Sequence, residues 1–295
     1  MTAIALRRHR STKLRHSFAV LRRSFALLRQ TGPAGIVSAA VVAVATFVAI
    51  FGPWLAPYNT ELPDTQLAFV GPFGGHLLGL DFEGRDVLSR LLAGAQSSMV
   101  GPLAVVVISL GLGVALAVTT AWRRGFTDAS ISAGLDILFA FPGILLAVLA
   151  TAVFGPGLVA ASIALSISYV PYVARVLRGA ALKERGQPYV AALEVQGASG
   201  PSICLRHIVP NMMPLIVAQA TIMFGWAMVD LAAISFLGLG VQAPAPNWGV
   251  MISENEVGVL QGYPLPCLAA GACVVLVVIA FNILGERLFE RATAR

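Results

Sequence analysis

Six apolar runs constrain this chain more than any other feature; they lie at about 35–56, 99–121, 135–154, 157–177, 213–236 and 266–285. A helix needs roughly 20 mostly apolar residues to cross the hydrocarbon of a bilayer. Inside lipid the backbone must satisfy its own polar groups, so runs of this length read as membrane helices. Composition supports this at one point: 12% of the 295 residues are charged, against about 25% in soluble domains. The expectation is an all-α, polytopic membrane protein with six transmembrane helices. The first, second and sixth runs carry no charge, whereas the third contains Asp136 and Pro142, the fourth Pro171 and the fifth Asp230. Phe154-Gly155-Pro156-Gly157 reads as a tight turn between the third and fourth spans.

Basic residues near span ends stay in the cytoplasm, which fixes direction. With the N-terminus inside, 18 of the 20 Lys and Arg fall on cytoplasmic segments, and only Arg85 and Arg90 fall outside. Both termini are therefore expected to be cytoplasmic. The net charge of +6 would suggest nucleic acid in a soluble protein. Here the basic residues flank apolar runs, so membrane lipid takes precedence and no nucleic-acid partner is expected. Cys204, Cys267 and Cys273 form no C-x-x-C pair, and the histidines have no metal spacing, so no metal site is expected. The first run is long and ends in Pro53-Trp54-Leu55, so no cleavable signal peptide is expected.

Residues 1–34 read as a separate cytoplasmic segment. Leu14, Phe18, Leu21, Phe25 and Leu28 share one helical face, with Arg15, Arg22 and Arg29 on a neighbouring stripe. A basic amphipathic helix of this kind lies in the membrane interface, with a mobile tail before it over 1–12. Residues 35–295 form the transmembrane domain, with an outer loop at 57–98, a cytoplasmic loop at 178–212 and a second outer loop at 237–265.

The cytoplasmic loop is the informative one. Pro188 suits a helix start, the small residues up to Ala192 suit a short helix, and Gly197 suits its end. A second short helix from about Pro201 is expected to be closed by Pro210. Two short helices joined at a glycine make a compact knob, which is a candidate docking site for a partner.

This segment resembles the EAA loop of binding-protein-dependent ABC importer permeases. The resemblance is carried by Tyr189, Ala192, Gly197, Ala198, Ser199, Arg206, His207, Pro210 and Asn211. The motifs Leu-Gly-Leu-Asp-Phe-Glu-Gly-Arg-Asp-Val-Leu-Ser-Arg at 78–90, Asp-Ile-Leu-Phe-Ala-Phe-Pro at 136–142, Ser-Phe-Leu-Gly-Leu-Gly-Val-Gln at 235–242 with Pro-Asn-Trp-Gly to 249, and Asn-Ile-Leu-Gly at 282–285 follow in order. Together they are similar to the C-type permease subunit of the dipeptide, oligopeptide and nickel branch. The chain departs from that pattern at Ala191, where the family usually has Glu; at Leu80, often Thr; and at Gln96, Ala133 and Leu231, where charged residues are usual.

The resemblance implies a subunit of the bacterial inner membrane that is not itself an enzyme. It implies a second permease subunit, two ABC ATPases that bind ATP and Mg, and an extracytoplasmic solute-binding protein. The solute implied is a peptide or a similar small molecule, and no cofactor belongs to this chain. The sequence agrees on one point independently: no Gly-Lys-Ser/Thr phosphate loop is present. Coupling would run through 189–211, with Tyr189, Ala191, Ala192, Glu194, Gly197, Ala198, Ser199, Arg206, His207, Pro210 and Asn211 as its residues.

The remaining candidates have structural alternatives beside the functional reading. His207 has no nucleophile or acid in a triad pattern, so loop hydrogen bonding outranks catalysis. Asp136 could face the translocation pathway or cap a helix N-terminus. Asp230 could face the pathway or bond a neighbouring helix, and Asn282 reads as a helix–helix hydrogen bond. Asp81, Arg85 and Asp86, with Trp248 from the other outer loop, could form an outer gate, contact a partner, or make a locally paired loop. Two other classes stay open: a self-contained secondary transporter or channel, and a membrane-embedded enzyme. Inverted repeats would mark the first, and convergent polar residues at one depth the second.

Overall fold

The computed structural model describes residues 32–293, so the amphipathic stripe over 14–28 and the tail before it lie outside the described residues. The described chain is helical. Its elements are α1 (Gly32–Leu55), α2 (Val87–Trp122), α3 (Phe126–Phe139), α4 (Gly143–Phe154), α5 (Leu158–Arg185), α6 (Pro188–Val195), α7 (Gly200–Ile203), α8 (Val209–Phe236), α9 (Trp248–Glu254), α10 (Glu256–Leu260) and α11 (Leu265–Thr293). Five helical runs are long and apolar enough to cross a membrane, and the bent pair α3–α4 makes a sixth if it counts as one span. Large apolar side chains such as Val107, Leu149 and Ile279 stand exposed on the bundle, as a lipid solvent requires.

The long helices alternate in direction. Residues 56–86, 155–157 and 237–264 therefore gather at one end, the loop end, where the Gly157 N–H donates to Leu239 O at 3.0 Å. Residues 123–125 and 186–208 gather at the other, the hairpin end. Helix α2 is the mast of the bundle, packing along α5, α1 and α8, while α8 also packs on α11. Close approach of α2 and α5 depends on Gly113: a Cβ there would lie 2.6 Å from the Val173 Cβ and 3.2 Å from the Ala174 nitrogen. Small residues let membrane helices approach this way, because packing rather than burial from water drives their association. Gly113→Leu should force α2 and α5 apart and cost about 1–3 kcal/mol. Thermal unfolding in detergent reads this; an unchanged midpoint would show the crossing to be looser than described.

Three expectations are corrected. The second span begins at Val87 rather than near residue 99, because the Asp86 carboxylate caps it, accepting from the Ser89 N–H at 2.7 Å, and its charged first turn is neutralised by neighbours. The third span is not one helix: α3 and α4 meet at 78° across Ala140–Pro142. Pro142 lacks an N–H and disfavours helical backbone at the residue before it, so the ladder stops there. Pro210 does not close a second short helix. Helix α7 passes through a π-type turn at Cys204–Ile208 directly into α8. The widened turn shifts the hydrogen-bond register, so a proline N–H is not needed at that point.

Candidate coupling site

The hairpin end is built from the last turn of α5 onward. Gln187 has extended backbone and Pro188 occupies the first turn of α6, where a missing N–H costs nothing. The helix stops in a Schellman arrangement: the Gly197 N–H donates to Glu194 O and the Ala198 N–H to Leu193 O, both at 3.0 Å. Gly197 sits at φ +79°, a left-handed conformation that glycine adopts without strain. The chain then re-enters a helix at Gly200-Pro201. Val190, Ile203 and Ile208 are buried and pin both arms of the hairpin to the bundle.

Two polar joints lock this hairpin to the long helices. In the first, Tyr189 Oη donates to Glu184 Oε2 at 2.8 Å, and Asn211 Nδ2 reaches Tyr189 Oη at 3.1 Å and Glu184 Oε2 at 3.3 Å. That triangle ties α5, α6 and α8 together. Burial, with the Glu184 carboxylate beside it, pushes the Tyr189 phenol above its ordinary range, so it stays a donor. In the second joint, the Arg185 guanidinium lies 4.2 Å from the Trp122 ring centroid and donates to the Trp122 and Ala121 carbonyls at the end of α2. A cation there also complements the negative end of the helix. The Trp122 indole lies hard against Gly200, where a Cβ would fall 2.6 Å from a ring carbon. Movement of the hairpin is thus movement of the ends of α2, α5 and α8.

The tip it presents carries exposed apolar side chains. Ala191 and Ala192 are exposed, Val195 is 89% exposed, and Leu205 on the second arm is 71% exposed. Glu194 turns back toward Arg185, with 3.9 Å between Glu194 Oε1 and Arg185 Nη2. Arg206, His207, Pro210 and Asn211 are exposed along the second arm, with His207 beside the Tyr189 ring at 6.5 Å between centroids. Ser199 is exposed and Ala198 half-buried. Trp122, Arg185, Glu184, Val195 and Leu205 are additions that the sequence reading missed. The Glu184-to-Tyr189 spacing across a helix break offered the one local signal for them.

The candidates elsewhere are not part of this site. At the loop end, Asp81, Arg85 and Arg90 are fully buried, Asp81 pairs with both arginines, and Glu254 from α9 joins them at 3.0 Å to Arg85 and 2.8 Å to Arg90. Asp86 is committed to its cap and to His76 at 2.8 Å. Trp248 is buried and its indole N–H donates to Leu91 O at 3.0 Å. The side chains of Asp81, Arg85, Asp86 and Trp248 are thus bonded within this chain, as the locally paired alternative expects, and they close the loop-end segments onto α2. Asp136 stands in the last turn of α3, not at an N-terminus, so it caps nothing. It pairs with Arg175 on α5 at 2.7 Å. The first-turn acid of α3 is Asp128, bonded to Arg178 at 2.5 Å. Asp230 accepts from Tyr169 at 2.7 Å, joining α8 to α5. Asn282 lies over Gly225, its amide atoms 3.1–3.4 Å from where a Cβ would stand.

Alternating span-length helices with a bundle-anchored hairpin at one end define a polytopic α-helical membrane protein. Comparison with known proteins names the kind. Residues 109–294 match the binding-protein-dependent transport system inner membrane component, and residues 32–72 match the N-terminal transmembrane domain of oligopeptide transport permease C. The glutathione transport system permease proteins GsiD of Escherichia coli O6:K15:H31 and Shigella boydii serotype 4 are each 37% identical over 254 residues, covering 86% of this chain and 84% of theirs. A chain of the MetNI methionine ABC transporter, solved in inward-facing conformations, has the same fold: a TM-score of 0.52 at 24% identity, over 69% of this chain and 93% of that one. The chain belongs to the binding-protein-dependent ABC importer permeases, and is a transport subunit rather than an enzyme.

Proposed function

We propose that this permease works as one of two membrane subunits whose movement is driven by two ABC ATPases seated on the hairpin at 188–211. The observation that carries this is the pairing of an exposed apolar tip with joints to three long helices. Val195 and Leu205 offer a partner its surface, and the Trp122–Arg185 and Tyr189–Glu184–Asn211 joints pass its displacement to α2, α5 and α8. The distribution of basic residues supports a cytoplasmic hairpin end, with both termini on that side. Closure of the ATPases on ATP would bring two such hairpins together and rock the bundle open to the outside, and hydrolysis would reset it. The coupling is real only because the hairpin meets two different states of its partner.

Ala191 removes the acid usual at this surface, leaving an apolar contact to do the docking. The GsiD relatives carry glutathione by name, and a peptide-like solute delivered by an extracytoplasmic binding protein is the corresponding reading here. Purification of the tagged chain in mild detergent tests the assembly. An ABC ATPase and a second permease should co-purify in stoichiometric amounts. Solute transport by the purified chain alone in vesicles, with no nucleotide consumed, would overturn the reading.

A further inference from the structure

Asp230 is a carboxylate within a span-length helix, and no Lys or Arg pairs with it among the described residues. It lies six residues before the end of α8, about 9 Å in at 1.5 Å per residue. Its Oδ2 accepts from Tyr169, and Oδ1 has no bond among the described residues. The basic side chains further along α5 are already taken, Arg175 by Asp136 and Arg178 by Asp128. An acid at this depth is costly unless it faces water, a cavity or a cation.

Its surroundings are aromatic. One turn earlier on α8, Trp226 is 44% exposed, and its ring lies 5.3 Å from that of Tyr172 on α5 at 59°. Tyr169 and Tyr172 are themselves half-buried on the same helix. The seam between α5 and α8 thus carries one carboxylate with an open oxygen beside two tyrosines and a tryptophan. An ammonium group finds a charged acceptor there and ring faces that attract cations. Neither an anion nor a plain apolar ligand would find either.

Resting on the permease reading above, we infer that Asp230, Tyr169, Tyr172 and Trp226 form a station on the translocation pathway that holds the ammonium group of an amine-bearing solute. Tyr169 orients the carboxylate from one side. The amine bonds Oδ1, and the Trp226–Tyr172 pair flanks it. Rocking of α5 against α8 would separate Tyr169 from Asp230 and open the station, so binding and release are set by the same helices that the hairpin drives.

The test is equilibrium binding of radiolabelled Ala-Phe to the purified permease, with whatever subunits accompany it, in nanodiscs. Unlabelled Ala-Phe and N-acetyl-Ala-Phe serve as competitors. The wild type should prefer the free amine, and Asp230→Asn, which keeps an acceptor for Tyr169, should weaken Ala-Phe about 10-fold. Trp226→Leu should weaken it about 3-fold. N-acetyl-Ala-Phe should bind the wild type and both variants alike. Equal binding of the two peptides to the wild type would overturn the station, as would an Asn variant that still discriminates. Loss of the companion subunits from the Asn variant would also overturn it, because Asp230 would then be a subunit contact. A preparation that binds the amine selectively but brings down no ATPase would count against the permease reading and leave the station standing.

Discussion

Asp81→Asn is expected to lower the stability of the folded permease by about 3–5 kcal/mol, because it strands two buried cations. Asp81 is fully buried and accepts from Arg85 Nε at 2.9 Å, from Arg90 Nη1, and from the backbone N–H groups of Glu83 and Arg85, both at 2.9 Å. Without its charge, Arg90 is left with Glu254, which it shares with Arg85, and Arg85 keeps only the part-exposed Glu83 at 2.8 Å besides. The same network holds the loop-end segments to α2: Asn255 accepts from the Phe82 N–H at 3.1 Å, one residue from each end of the ion pairs. Thermal unfolding in detergent should show a large drop, and proteolysis should open residues 56–86 first. Adding Arg90→Met should recover part of the loss, since an apolar side chain of similar volume needs no counter-charge. A single variant that melts with the wild type would show the network to be incidental to stability.

That network also explains where sequence reading stops. The spans were legible because length in lipid is a local property of a run, and Gly197 because a helix start and a helix stop flank it. The segment at 78–90 reads as a charged loop, yet it starts a 36-residue helix. Its two arginines are paired by Asp81 within the segment and by Glu254, whose place beside them depends on the fold rather than on spacing. Pro142 and Pro210 show the converse. Both are local helix breakers by rule, and one breaks its span by 78° while the other sits inside a continuous run. The difference is the π-type turn before Pro210, a feature with no residue signature of its own. The glycine-jointed hairpin within 189–211 was legible by motif, but its grip on the bundle was not. Trp122 and Arg185 come from helices whose ends meet only in three dimensions. Asp136 was legible as an acid in a span and misplaced within it, because the helix break moved it from a start to an end.

Gly197→Pro should abolish solute uptake while leaving insertion, topology and the loop end intact. Proline fixes φ near −65°, and the backbone here sits at φ +79°. It also removes the N–H that donates to Glu194 O at 3.0 Å, so α6 loses half of its stop. No atom lies within 4 Å of a Cβ at this position, so nothing in the bundle is pushed, and the damage is confined to the angle between the two arms. Gly197→Ala is the graded control: the left-handed conformation costs a side-chain residue about 1–2 kcal/mol, but the donor remains and the arms can still meet. Uptake should therefore fall in the order glycine, alanine, proline, with the ratio of ATP hydrolysed to solute moved rising along it. Thermal stability should fall only by the local strain, about 1–2 kcal/mol for alanine, and not in step with uptake, because Val190, Ile203 and Ile208 still anchor each arm separately. Wild-type uptake in the proline variant would separate the hairpin from the driving force altogether. A proportional loss of stability and uptake would reduce its role to folding. Uncoupled hydrolysis in a stable protein is the signature that distinguishes a transmitted displacement from either outcome.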